Sequence, residues 1–136
     1  MRRPLPLVLA AGLLAVPLAV AGPVLPAHAA QTEAIGPGLR LVMVDLKGCG
    51  FCAAFRREVL PGYADRPEGR AAPLAVVQID GPWPDGLALA GRPRVTPTFI
   101  LLRDGIEQAR VEGYAGPDRF WPELRAMLAT ATEAPP

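Results

Sequence analysis

Cys49 and Cys52 stand two residues apart in "DLKGCGFCAAF", which runs from Asp45 to Phe55, and they are the only cysteines in 136 residues. Two thiols at this spacing can exchange with disulfides, hold a metal or staple a turn. A closed zinc site wants four nitrogen or sulfur ligands, and the one histidine, His28, falls in a segment expected to be cut away. Covalent haem needs a histidine directly after the second cysteine, where this chain has Ala53. Two thiolates with Met43 nearby suit Cu(I), so a copper-binding carrier using the pair is an alternative of a different class. A staple across so short a loop removes little entropy from the unfolded chain.

The redox reading gains from what surrounds the pair. "LRLVMVDL" (39–46) is an apolar run without clean alternation, as a strand buried on both faces requires. The stretch from Cys49 to about Leu60 places Cys52, Phe55 and Val59 on one helical stripe, with Arg56, Arg57 and Glu58 on the other side. Cys49 therefore opens a helix. The free N–H groups of a first turn and the positive end of the helix dipole favour thiolate over thiol, lowering the pKa from its free value of ~8.5. Cys52 lies one turn deeper on the same face. Cys49 is then the attacking thiol and Cys52 the resolving one, with the redox-active disulfide as the only cofactor. Asp45 and Lys47 are polar neighbours that could tune the pair, Asp45 as a proton relay and Lys47 as a cation beside the thiolate. Phe51, in the turn between the cysteines, cannot pack beneath its own helix and should face the partner.

The elements beyond the pair follow in order. "GYADRPEGRAAP" (62–73) reads as a loop with room for a helical turn, and "LAVVQID" (74–80) as a strand. "DGLALAG" (85–91) suits a short helix stopped at Gly91. "PTFILL" and "IEQARVEGY" flank Asp104-Gly105, a strong hairpin signal. "GPDRFWPELRAMLATA" (116–131) closes as an amphipathic helix with Phe120, Leu124, Met127 and Leu128 on one face. Trp83 and Trp121 read as packing residues. The resulting order, β-α-β-α-β-β-α, makes an α/β three-layer sandwich around a mixed four-stranded sheet.

The first residues read as a compartment label. Met1–Arg3 is positive, Leu5–Ala21 carries no charge, and Ala27-His28-Ala29 fits a cleavage site. Residues 1–29 are thus expected to be a secretory signal peptide, 30–38 a lead-in, 39–131 the folded domain and 132–136 a disordered tail. Of 14 basic side chains, Arg2 and Arg3 leave with the signal, so 12 face 13 acidic ones. Without a basic tract, nucleic acid is not an expected partner. An exported, periplasmic chain meets conditions that permit disulfides.

At this point the chain resembles the thioredoxin superfamily. The signature is distributed: "GCGFC" after a strand, "VTPTF" (Val95–Phe99) in the position of that family's cis-proline loop, then "FILLRDGIEQARVEGY" as its closing hairpin. The resemblance implies a thioredoxin-like fold in minimal form, a cis Pro97 facing the cysteines, and a Thr96 backbone that pairs with substrate as an added strand. Gly48, Gly50 and Phe51 would shape the site beside Thr96 and Pro97. There are departures. Gly48 replaces the family's tryptophan, Met43 its buried aspartate, and Gly50-Phe51 its Gly-Pro. A closer likeness, in "GCGFCAAFRREVLPGY", "PEGRAAPL", "VTPTFIL" and "VEGYAGPDRFWPELRAML", is to the small periplasmic thioredoxins of bacterial sulfur-oxidation systems, the SoxS type. It implies a thiol–disulfide oxidoreductase that reduces a partner cysteine, such as that of a Sox YZ-type sulfur carrier. A membrane thiol transporter would supply its electrons. A periplasmic thiol oxidase or isomerase, or a cytochrome-assembly reductant, is the alternative within the same chemistry.

Overall fold

The computed structural model describes residues 35–133. The expected signal peptide lies outside them, as do residues 134–136. Strand β1 (Leu39–Asp45) leads to helix α1 (Gly50–Glu58). A single 3-10 turn and the short helix α2 (Pro67–Ala71) lead on to β2 (Leu74–Gln78). The hairpin β3 (Thr98–Arg103) and β4 (Ile106–Glu112) follows, and helix α3 (Pro117–Glu133) ends the described chain. The sheet order is β2-β1-β3-β4. β1 pairs parallel with β2 and antiparallel with β3, and β3 pairs antiparallel with β4. This is the expected mixed four-stranded sheet in thioredoxin-like form.

The non-alternating run of β1 follows from its central place. Leu41 and Met43 point to one face, where α1 and α3 cover them with Cys52, Phe55, Val59, Phe120, Leu124 and Met127. Val42 and Val44 point to the other, where they meet Val77, Ile100 and Leu102. Phe55 is the hub of the helical side. Its ring centroid is 4.8 Å from Phe99, 5.0 Å from Phe120 and 5.5 Å from Tyr114. Asp104 and Gly105 have φ of 51° and 82°, the doubly left-handed turn that matches strand twist in a two-residue hairpin.

The second face is covered differently from what the sequence suggests. No helix forms at 85–91. Ala88 makes an isolated bridge to Ile106, its N–H donating to Gly105 O at 2.9 Å while its carbonyl accepts from Glu107 N at 2.9 Å. The backbone groups that a helix would pair internally are paired with the hairpin instead. Gly86 sits at φ 80°, and Leu87 and Leu89 both reach the sheet with Trp83. Apolar residues at i and i+2 serve an extended segment lying on a sheet, so this outer layer is irregular chain. The additional helix is α2, earlier in the chain. Pro67 stands at its start and Glu68 in its first turn, a favourable opening for a helix. Helix α3 runs to Glu133, two residues beyond the expected end at 131.

α2 is pressed close to the chain before it. A Cβ built on Gly69 would lie 1.8 Å from the Tyr63 carbonyl oxygen and 2.7 Å from its carbon. Those are backbone atoms, held in place because Tyr63 OH donates to Ala72 O at 2.7 Å in the interior. Burial also raises the Tyr63 phenol's pKa. Gly69→Ala is therefore expected to destabilise the fold by about 3 kcal/mol, the upper range for overpacking, measurable as a lower urea midpoint at unchanged m-value.

Candidate functional site

The site stands where β1 ends and α1 begins. Cys49 is the N-cap of α1, with extended backbone at φ −69° and ψ 116°. Its carbonyl already accepts from Ala53 N at 3.0 Å, and its own N–H donates back to Leu46 O at 3.0 Å. These two bonds fix the sulfur over the opening of the helix. The Cys52 N–H donates to Cys49 Sγ at 3.1 Å, so sulfur takes the place that serine or aspartate oxygen usually holds at a helix start. Gly48, at φ 85°, makes the tight entry, and a side chain there would be strained. Gly50 opens the helix, and a Cβ on it would meet nothing within 4 Å.

Cys49 and Cys52 are joined as a disulfide, with Cα atoms 5.3 Å apart. Their environments differ. Cys52 is fully buried in the cluster of Phe55, Met43 and Phe99, whereas Cys49 is only partly covered. The Thr96 carbonyl oxygen lies 3.5 Å from Cys49 Sγ, and the Thr96–Pro97 peptide is cis. The loop is tied down on its far side. Gly113 N–H donates to Pro97 O at 2.7 Å, and Thr98 Oγ1 to Val95 O at 2.8 Å. The fold thus brings residues 49–52 and 96–97 together across 47 positions of sequence. Phe51 is 65% exposed, and Val95, next to Thr96, is exposed as well. An apolar rim therefore flanks the sulfur that solvent can reach.

The two polar neighbours part company. Lys47 is exposed, and among the described residues it makes no hydrogen bond or ion pair. Asp45 is buried, and its carboxylate is fully engaged. It accepts from Leu46 N–H at 2.9 Å, from the Gln78 side-chain amide at 3.3 Å and from the Arg56 guanidinium. Arg56 and Gln78 are the residues that sequence reasoning missed. Arg56 lies on the polar side of α1 in the sequence pattern, but its side chain reaches back along the helix to β1. The signal available was the pairing of a strand-end acid with a helical arginine eleven positions on, within reach once the helix folds back over its strand.

No known family description matches this chain, and neither does any curated protein. Solved structures do. The reduced periplasmic thioredoxin SoxS of Paracoccus pantotrophus is 44% identical, covering 68% of this chain and 98% of that one, with a TM-score of 0.67. The thioredoxin of Malassezia sympodialis, 20% identical over 68% of this chain and 79% of its own, with a TM-score of 0.50, shares the fold. A cysteine pair at a helix start on this sheet, with a 44% identical relative matched along almost its whole length, places the chemistry in thiol–disulfide exchange with protein thiols and disulfides: the chain belongs to the thioredoxin superfamily and is a thiol–disulfide oxidoreductase.

Proposed function

We propose that this protein is exported to the periplasm and works there as a reductant of a partner cysteine, with Cys49 attacking and Cys52 resolving. The asymmetry of the two sulfurs carries the reading. One is partly open and held by a helix-start N–H, and the other is buried directly behind it. In the first step the Cys49 thiolate attacks one sulfur of a partner disulfide. A Cys49–partner disulfide forms, and the second partner sulfur leaves as thiolate. In the second step the Cys52 thiolate attacks Cys49 Sγ. The intramolecular disulfide forms and the first partner sulfur leaves. Across both steps the protein loses two electrons and the partner disulfide gains them, each released thiolate taking a proton from solvent as its pKa demands. A membrane thiol transporter would return the two electrons.

The partner segment is an extended peptide bearing a cysteine, paired through its backbone with Thr96 beside the apolar rim of Phe51 and Val95. The cysteine of a sulfur-carrier complex fits this description, and the likeness to a periplasmic SoxS thioredoxin supports it. The test is capture in periplasmic extract with Cys52→Ser. The carrier should be the main adduct. A spread of unrelated exported proteins would favour the isomerase or oxidase reading, and a cytochrome-assembly factor the other reductant reading. The direction of electron flow is read from the potential against glutathione. A value near the thioredoxin range of about −270 mV fits a reductant, and one near about −120 mV an oxidant.

A further inference from the structure

Asp45 closes β1 on the face that carries α1, and Arg56 lies on α1 four residues past Cys52. That is one turn of helix; Arg56 stands on the polar side of α1, and its guanidinium reaches over to the Asp45 carboxylate. The Asp45 side chain is 8% exposed and that of Arg56 36%. Gln78 of β2 and the Leu46 N–H hold the carboxylate as well. Two opposite charges are thus held against each other, the acid four residues before Cys49 and the base four residues after Cys52, and the negative one is shielded from water. Met43, the neighbouring residue on the same face, is fully buried and apolar, and its register partner on β2 is Val76. Among the described residues Asp45 is the one charged residue that is buried.

The reduced couple carries a negative charge at Cys49 once its thiol ionises, and the disulfide carries none. A fixed charge nearby must then bias the equilibrium between them. A lone anion disfavours thiolate and so favours the disulfide, and a lone cation does the opposite. We propose that Asp45 and Arg56 are positioning residues that balance each other's field at the Cys49–Cys52 couple and so set its reducing strength. The other charges in the loops around the pair are Lys47, Arg94 (two residues before Thr96) and Asp80 beyond β2. All three are exposed, where solvent and salt screen them. Glu58, further along α1, accepts from Tyr114 OH at 2.8 Å.

This inference rests on Cys49 being the attacking thiol. Its test is a double-mutant cycle read by the equilibrium of the purified protein with glutathione, and by thiolate absorbance against pH. Arg56→Gln leaves the carboxylate uncompensated. It should shift the equilibrium toward disulfide on the order of tenfold, about 30 mV for this two-electron couple, and raise the pKa of Cys49. Asp45→Asn leaves the guanidinium, and should move both readouts the other way. The double variant should return to within about twofold of wild type, and Arg56→Lys should stay close to it. A loosened helix without electrostatic coupling would move both single variants in the same direction, and that result overturns the proposal, as does no movement in either. If Arg56→Gln fails to fold, Asp45→Asn and the double variant decide. A shift in Asp45→Asn that the second substitution leaves unreversed overturns it too. Wild-type turnover in Cys49→Ser would instead remove the assignment of the attacking thiol beneath it.

Discussion

Cys49→Ser should bring reduction of a model protein disulfide down to the uncatalysed background, while Cys52→Ser should complete the first exchange and then stall as a mixed disulfide through Cys49. The geometry supplies the reason for the difference. Cys49 is partly exposed, and its Sγ receives the Cys52 N–H and lies 3.5 Å from the Thr96 carbonyl oxygen. Cys52 is fully buried and can be reached only by a disulfide already formed on Cys49. Oxygen cannot replace sulfur as the exchanging atom at either position. Substituting the outer residue removes the encounter, and substituting the inner one removes the release. Mass spectrometry of intact adducts checks the second arm. Limiting iodoacetamide on the reduced protein checks the first, and faster labelling of Cys52 than of Cys49 would reverse the assignment.

Phe55→Ala should remove a large share of the domain's stability. Phe55 has no exposed surface, and its ring joins α1 to β3 through Phe99 and to α3 through Phe120. Truncating a buried aromatic to alanine typically costs 3–5 kcal/mol, against a total stability of about 5–15 kcal/mol for a domain. The melting temperature should fall on the order of 15 °C or more. Phe55→Leu, which leaves less empty volume, should recover more than half of the loss. Because Phe55 lies one turn beyond Cys52 on the same stripe, the alanine variant should also expose the inner sulfur. Its labelling by iodoacetamide in the reduced folded fraction should rise.

Much of this architecture could be read before any coordinates. The Asp104-Gly105 turn fixed the hairpin because only residues tolerant of positive φ suit it. The apolar run of 39–46 declared a central strand because both of its faces needed cover. Phe51 declared its exposure by standing between two cysteines at a helix start. Other elements were hidden for physical reasons. "DGLALAG" carries good helix formers, and nothing local reveals that Gly105 and Glu107 offer its backbone a better set of partners. The short helix at Pro67–Ala71 holds too few turns to show periodicity, and its stability comes from packing: Tyr63 stacks on Trp121 at 5.8 Å, and Glu68 reaches Arg125 at 2.9 Å. Arg56 was hidden by its length. A long cationic stem can leave the polar side of its helix and place its head on another element.

The sulfur cap on α1 ties the oxidation state of the protein to its resistance to unfolding. In the reduced chain the Cys49 thiolate sits at a helix start when folded and in open water when unfolded. A helix start favours thiolate over thiol, so its proton is expected to be held less tightly in the folded form than in the unfolded one. By linkage, a group depressed in this way adds stability that is complete above the unfolded pKa and lost as pH falls through the folded one. The disulfide form has no such proton to lose. Urea curves of the two forms should accordingly diverge with alkalinity, the reduced protein gaining on its own oxidised form until the unfolded thiol has also ionised. A change of pH would then change how long the oxidised and the reduced protein each survive proteolysis, in addition to how fast they react.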